Sequence, residues 1–118
     1  MPKPELLRNI YITHNLIYVI AQENDDFYLI ARDLGFKITD LIKYNEVPDN
    51  YKPRKGEIVY LQKKKSKADK PYFVHTVKRG ESMHSISQVY GIQLKNLYKM
   101  NKLDPYYVPA EGDVLRLR

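Results

Sequence analysis

Few side chains in this 118-residue chain are of the types that carry acid–base, metal or nucleophilic chemistry, and their spacing does not suit it. Glu23, Asp25 and Asp26 form an acidic cluster. A glycosidase needs two carboxyl groups facing each other across a cleft, roughly 5–9.5 Å apart. Neighbouring side chains on a helix-opening turn do not face each other in that way, and helix capping and dipole stabilisation explain them better. His14, His75 and His84 form no i, i+4 pair, and the absence of cysteine excludes both a Cys-based zinc site and a disulfide. Ser82, Ser85 and Ser87 lie near His84, but there is no Gly-x-Ser-x-Gly elbow. No Gly-rich phosphate loop is present either. The chain reads as non-catalytic, with no cofactor and no metal.

What the chain does carry is a repeat. Val19–Gln62 aligns with His75–Arg118 without a gap, at a constant offset of 56 residues. Ile30 falls on Ile86, Gly35 on Gly91, Leu41 on Leu97 and Asn45 on Asn101. Tyr51 falls on Tyr107, Pro53 on Pro109, Gly56 on Gly112 and Leu61 on Leu117. These are backbone-setting residues, so two copies of one small fold are expected, and with them a ligand that is itself repetitive.

Each copy follows the same order. Ile17–Ile20 is rich in β-formers. Asp26 is placed to cap a helix in which Phe27, Ile30, Ala31 and Leu34 share one face, and Gly35 sits at its C′ position. Ile38, Leu41 and Ile42 give a second short helix ending near Asn45, then a loop runs to Gly56 and a strand closes the copy. In the second copy Phe73–Lys78 is a strand and Ser82 caps a helix closed by Gly91. Leu94, Leu97 and Tyr98 form the apolar face of its second helix, and Asp113–Leu117 is the closing strand. The expected fold class is α+β: two βααβ modules, each a two-stranded antiparallel sheet with a helical hairpin on one face. The divisions are a lead-in at 1–16, module 1 at 17–61, a basic linker at 62–72 and module 2 at 73–118.

The net charge of +6 is unevenly spread. Residues 62–72 hold five lysines against one acid, residues 73–118 seven basic against four acidic groups, and residues 18–61 six against eight. Charge concentrated between repeats suits a solvated spacer better than a nucleic-acid stripe, so no specific nucleic-acid partner is expected. No run approaches the roughly 20 apolar residues of a membrane span, and Met1–Asn9 has no apolar core of signal-peptide type.

From His75 to Met83 the text resembles the opening of a LysM domain: a strand, then Gly80-Glu81-Ser82 where Gly-Asp-Thr/Ser is usual, then Ser85-Ile86-Ser87 at the helix centre. Tyr90-Gly91-Ile92, Leu97, Asn101 and the closing Pro109-x-x-Gly112-Asp113-x-Leu115 extend the match along the whole copy. The first copy matches at Ala31, Gly35, Leu41, Asn45 and Gly56, with Asn24 in place of the turn glycine and Asp26 in place of Thr/Ser. In both copies the residue that usually caps the second helix is missing, replaced by Lys37 and Gln93. The pair also resembles the C-terminal tails of glucosaminidase-type cell-wall hydrolases of Bacteroidetes.

The resemblance implies non-catalytic binding of N-acetylglucosamine-containing glycan, peptidoglycan or chitin oligomers, in a shallow groove between the first strand–helix turn and the loop after the second helix. In copy two that groove is Gly80, Glu81, Ser82 and Met83 facing Leu103, Asp104, Pro105 and Tyr106. In copy one it is Asn24, Asp25, Asp26 and Phe27 facing Val47, Pro48, Asp49 and Asn50. Asp25 and Asp26 are expected to place negative charge beside the first groove. Tyr106 or Tyr107 is placed to stack on a sugar ring. A monomer is expected, in the cell envelope, as the tail of an exported protein whose attached glucosaminidase it would anchor. The rival readings are a protein-interaction or nucleic-acid-binding module that keeps the fold without sugar binding.

Overall fold

The computed structural model describes residues 8–118 and divides the chain into two compact units, Met1–Lys63 and Lys64–Arg118. In unit 1, β1 (Tyr11–Thr13) and β2 (Leu16–Ile20) form a hairpin; α1 (Phe27–Leu34) and α2 (Ile38–Asn45) follow, and β3 (Ile58–Tyr60) pairs antiparallel with β2. Unit 2 runs β4 (Val74–Thr76), α3 (Met83–Tyr90), α4 (Leu94–Met100) and β5 (Val114–Arg116), with β4 and β5 antiparallel. Antiparallel sheets carrying short helices are thus present in both units.

Local chemistry accounts for most boundaries. Asp26 and Ser82 are extended N-caps whose side chains accept the Leu29 and Ser85 N–H groups, and Ser82 completes a capping box with Ser85. Gly35 and Gly91 end their helices in the left-handed region, at φ of 77° and 68°. As their residue types suggest, Lys37 and Gln93 offer no side-chain cap to α2 and α4. The turn before α1 and α3 also needs positive φ: Gly80 adopts 85° and Asn24 adopts 65°, a conformation costly for other side chains.

The two cores are built from matched positions. Ala21, Phe27, Ile30, Leu41, Val59 and Leu61 are buried in unit 1, and Val77, Met83, Ile86, Leu97, Leu115 and Leu117 are buried 56 residues later. Asn45 and Asn101 tie helix to sheet in the same way. The Asn45 amide donates to Leu41 O (2.8 Å) and Tyr60 O (2.9 Å), and its carbonyl accepts the Tyr60 N–H at 2.7 Å. Asn101 does the same with Leu97 O, Arg116 O and the Arg116 N–H, at 2.9, 3.0 and 2.7 Å.

Three features depart from the sequence reading. The lead-in, where it is described, contains β1, so the unit 1 sheet has three strands instead of two. Its hairpin turns through His14 and Asn15, both at positive φ (52° and 61°). Second, residues 64–68 are not a solvated spacer. Lys64 is buried, with Nζ donating to Ser87 Oγ and Gln88 Oε1, and Ala68 joins the unit 2 core. The Lys65 N–H donates to Gly91 O, Gln93 N–H to Lys65 O and Ala68 N–H to Leu117 O. Gln93 does not cap α4; its side chain instead donates to Lys64 O. Third, Arg8 of the lead-in is buried against α1 and the turn before it. Residues 1–7 of that lead-in lie outside the described residues.

Two outcomes follow for stability. Asn45→Leu removes the amide that pairs Tyr60 N–H and Tyr60 O to the helix end, so urea unfolding should show a loss of about 2–4 kcal/mol. Asn101→Leu should lose less, since that site is only half-buried. A fragment starting at residue 73 gives up the three backbone bonds of 64–68 and uncovers Ile92 and Leu117. It should be less stable than one starting at 63 by about 3 kcal/mol, close to the whole stability of a unit this small. Equal midpoints for the two fragments in thermal melts would show that the segment only decorates unit 2.

Candidate functional site

In unit 2, the turn before α3 and the loop after α4 form the sides of a shallow groove. The turn is closed by the Glu81 N–H on Lys78 O (3.2 Å) and by the Lys78 N–H on Glu81 Oε1 (2.6 Å). The loop begins after Lys102, which takes positive φ, and is shaped by Asp104, whose Oδ1 accepts the Tyr106 N–H at 2.7 Å. The groove has a volume of about 320 Å³ and is lined by Glu81, Ser82, Met83 and His84, by Pro105 to Pro109, and by Leu94 and Tyr98 of α4.

Of the eight residues expected here, Glu81, Ser82, Met83, Pro105 and Tyr106 come together at the groove. Gly80, Leu103 and Asp104 do not line it. Gly80 supplies the positive φ of the turn, Leu103 packs on the core, and the Asp104 carboxylate is occupied by the loop backbone. Tyr107, placed beside the groove as a stacking candidate, also lines it, whereas His84, Leu94, Tyr98, Val108 and Pro109 were not anticipated. The i, i+4 spacing of Leu94 and Tyr98 marks a shared face, but periodicity alone does not separate a groove wall from the core; only Leu97 of that face is fully buried. Tyr106 is 90% exposed and Val108 81% exposed, giving the groove an apolar, aromatic rim. Tyr107 is committed elsewhere: its hydroxyl donates to Asp113, which also accepts the Ala110 N–H at 2.9 Å. That hydrogen bond, with some desolvation, holds the Tyr107 proton more tightly than usual. Unit 1 repeats the contact, with Tyr51 donating to Glu57 at 2.5 Å and Glu57 accepting the Arg54 N–H. Burial and then Glu57 push the Tyr51 hydroxyl up to about 12.

The corresponding residues of unit 1 are differently employed. Asn24 makes the turn, Asp26 caps α1, and Phe27 is buried edge-on to Tyr51 with ring centres 6.2 Å apart. Val47 packs on the core, whereas Pro48, Asp49 and Asn50 are exposed. The expectation that Asp25 projects negative charge beside a groove is corrected. Asp25 is 4% exposed, and its carboxylate takes both Arg8 guanidinium nitrogens, at 2.6 and 2.7 Å, and the Gln22 N–H at 2.7 Å. Arg8 also reaches Asp33 through Nε at 3.1 Å. Aligned with Tyr106 and Val108, unit 1 has Asn50 and Lys52, so its rim is polar where that of unit 2 is aromatic and apolar.

A small antiparallel sheet under a helical hairpin, presenting a loop-walled groove of this size, defines a small binding module. Among the described residues no group of three or more His, Cys, Asp or Glu could hold a metal ion, and no helix is long and apolar enough to cross a membrane. Residues 75–118 match the LysM domain family, and this stretch is a LysM domain. LysM is a binding domain, generally for N-acetylglucosamine-containing glycans. Among solved structures, the chain is similar to the spore cortex-lytic enzyme SleL of Bacillus cereus, at 23% identity over 86% of this chain and 22% of that one, with a TM-score of 0.37. It is also similar to SleL of Bacillus megaterium QM B1551, at 17% identity over 92% of this chain and 22% of that one, with a TM-score of 0.34. The chain thus corresponds to about a fifth of the length of those enzymes. No curated protein sequence matches it.

The Arg8–Asp25 contact carries a pH signature. Arg8 lowers the Asp25 carboxyl against the opposing effect of burial, with help from the Gln22 N–H. A carboxyl depressed in the folded state contributes stability above its unfolded value of about 3.9, and that contribution is lost as pH falls through the folded value. Arg8→Met should therefore cost about 3 kcal/mol near neutrality by leaving a buried carboxylate unpaired. The gap between variant and parent in urea midpoints should shrink below about pH 4; a gap independent of pH would mean that Arg8 acts only through packing.

Proposed function

We propose that this chain is a tandem LysM unit that binds N-acetylglucosamine-containing glycan without catalysis, with the groove of unit 2 as the principal site. The observation that carries this reading is the groove formed, within the LysM domain, by Glu81–His84 and Pro105–Pro109. An N-acetyl group needs one donor, one acceptor and an apolar spot for its methyl. Backbone groups of two tight loops suit the first two, and Met83, Leu94 and Tyr98 the third. Tyr106 offers an exposed ring on which a sugar face can stack.

The tandem reading rests on the constant offset and on the shared strand–helix–helix–strand order, with unit 1 as a second, more polar module. A millimolar site supplies only about 4 kcal/mol, so a second tethered site on the same polymer raises avidity through effective concentration. Such a unit would hold an attached cell-wall hydrolase, of glucosaminidase type, close to peptidoglycan in the cell envelope. The nucleic-acid reading is weakened by the state of the lysines at 62–72. Lys64 is buried and Lys65 pairs with Asp69, so the five do not form a continuous exposed stripe.

The test is an NMR titration of the whole chain with N-acetylglucosamine oligomers. The Ser82, His84, Tyr106 and Val108 amides should move, longer oligomers should bind better than the disaccharide, and Tyr106→Ala should weaken binding about fivefold. If a long oligomer leaves every one of these amides unmoved, the glycan reading fails.

A further inference from the structure

The wall of the unit 2 groove hangs on a histidine. His75, in β4, has a side chain 13% exposed, with Nε2 2.9 Å from Glu81 Oε1 and Nδ1 2.8 Å from the Tyr90 hydroxyl. The same Glu81 oxygen accepts the Lys78 N–H that closes the turn, and Glu81 itself lines the groove. One carboxylate oxygen therefore joins the strand, the turn and the ligand-facing wall.

Unit 1 builds the equivalent turn with a different partner for the carboxylate. Asp25 precedes Glu81 by the repeat offset, and its acceptance of the Gln22 N–H matches that of the Lys78 N–H by Glu81. Its partner is Arg8, from outside the repeat, which stays charged at all ordinary pH. In unit 2 the partner is an imidazole, the side chain whose charge changes near neutrality.

We propose that His75 is a positioning residue of the unit 2 groove: it holds Glu81, and with it the turn at 78–82, and protonation of its ring tightens that wall and strengthens glycan binding. The proposal rests on the glycan reading of this groove. The groups facing His75 are Glu81 from the turn and Tyr90 from α3, with Tyr72 packed on Tyr90 at 5.7 Å between ring centres and Lys78 adding positive charge beside Glu81. Burial pushes the Glu81 carboxyl up, but the Lys78 N–H and His75 outweigh it and hold it low, so it is an anion near neutrality. A neutral ring still donates through Nε2–H to Glu81 and accepts the Tyr90 hydroxyl at Nδ1. A charged ring donates at both nitrogens, and the Glu81 contact becomes a charge-assisted bond, roughly twice as strong. A wall held more firmly before binding loses less freedom when the ligand arrives.

The experiment uses the whole chain and a neutral N-acetylglucosamine tetramer, titrated at about pH 5.5 and about pH 8 with the Ser82, His84 and Tyr106 amides as reporters. Affinity in the parent should fall about threefold between the two, and His75→Gln, which keeps a donor for Glu81 but does not titrate, should show no change. Glu81→Gln breaks the ion pair from the turn side and should flatten the profile as well, which covers the case of a poorly folded His75 variant. A flat profile in the parent, or an unchanged profile in both variants, overturns the proposal. A second readout needs no ligand: the exchange protection of the Lys78 amide should drop over the same range in the parent and stay constant in His75→Gln. The Gln22 amide, held by an Arg8-paired carboxylate, should not respond. If the tetramer binds at neither pH, the glycan reading fails, and the role of His75 is then decided by the Lys78 amide alone, a constant protection overturning it.

Discussion

An asparagine amide at the end of the second helix holds each unit together. Two short helices and a sheet of two or three strands have little apolar surface with which to fix their mutual position. Asn45 and Asn101 add a directional constraint. Each presents one donor and one acceptor to the closing strand, much as a neighbouring strand would, while its second donor hydrogen closes the last turn of its own helix. The helix end and the strand can then shift only together. The loop between them, which forms one wall of the unit 2 groove, is pinned at both ends. Tyr51–Glu57 and Tyr107–Asp113 add a second tie within that loop. A hydrophobic replacement would take from the closing strand both the donor and the acceptor that this amide supplies.

The turn before the first helix is held by a carboxylate in both units, but the side chain that holds the carboxylate differs. Arg8 and Lys64 are both buried cations from the segments ahead of the repeats, and Lys64 follows Arg8 by the repeat offset of 56 residues. Their partners differ. Arg8 meets two carboxylates, whereas Lys64 meets the Ser87 hydroxyl and the Gln88 amide, Ser87 standing in α3 where α1 has Ala31. With Lys64 turned to α3, the turn acid of unit 2 is left to His75. The turn acid is therefore held by an arginine in unit 1 and by a histidine in unit 2.

The rims differ for a simpler reason, which is residue type at matched positions. Tyr106 and Val108 stand where unit 1 has Asn50 and Lys52. Neither pair affects the core, so the surface of each groove is free to vary while the frame stays constant. The LysM match covers residues 75–118, and unit 1, with the same order of strands and helices, presents a more polar face to solvent.

Much of this molecule was legible because its frame is set by short-range sterics. A glycine that must turn left-handed, a serine or aspartate able to cap a helix, and an apolar face with a period of 3.6 act within a few residues of themselves. They appear in the sequence as Gly35, Gly91, Asp26, Ser82 and the Phe27–Leu34 face, and the repeat made each of them visible twice. The groove residues were placed by the resemblance to LysM domains instead, and five of those named for unit 2 line the groove. What the sequence did not reveal depends on partners far along the chain. The β1 strand needs a turn of two non-glycine residues at positive φ, tolerated because β2 offers an uncovered edge. Arg8 meets Asp25 across 17 residues, and Lys64 reaches Ser87 across 23. A lysine-rich run looks solvated from composition alone. Only the packed structure shows that one of those lysines is buried against a serine hydroxyl, and that an acid read as surface charge is buried and paired. Such pairings depend on the surfaces the local elements leave uncovered after they dock, and that is decided in three dimensions.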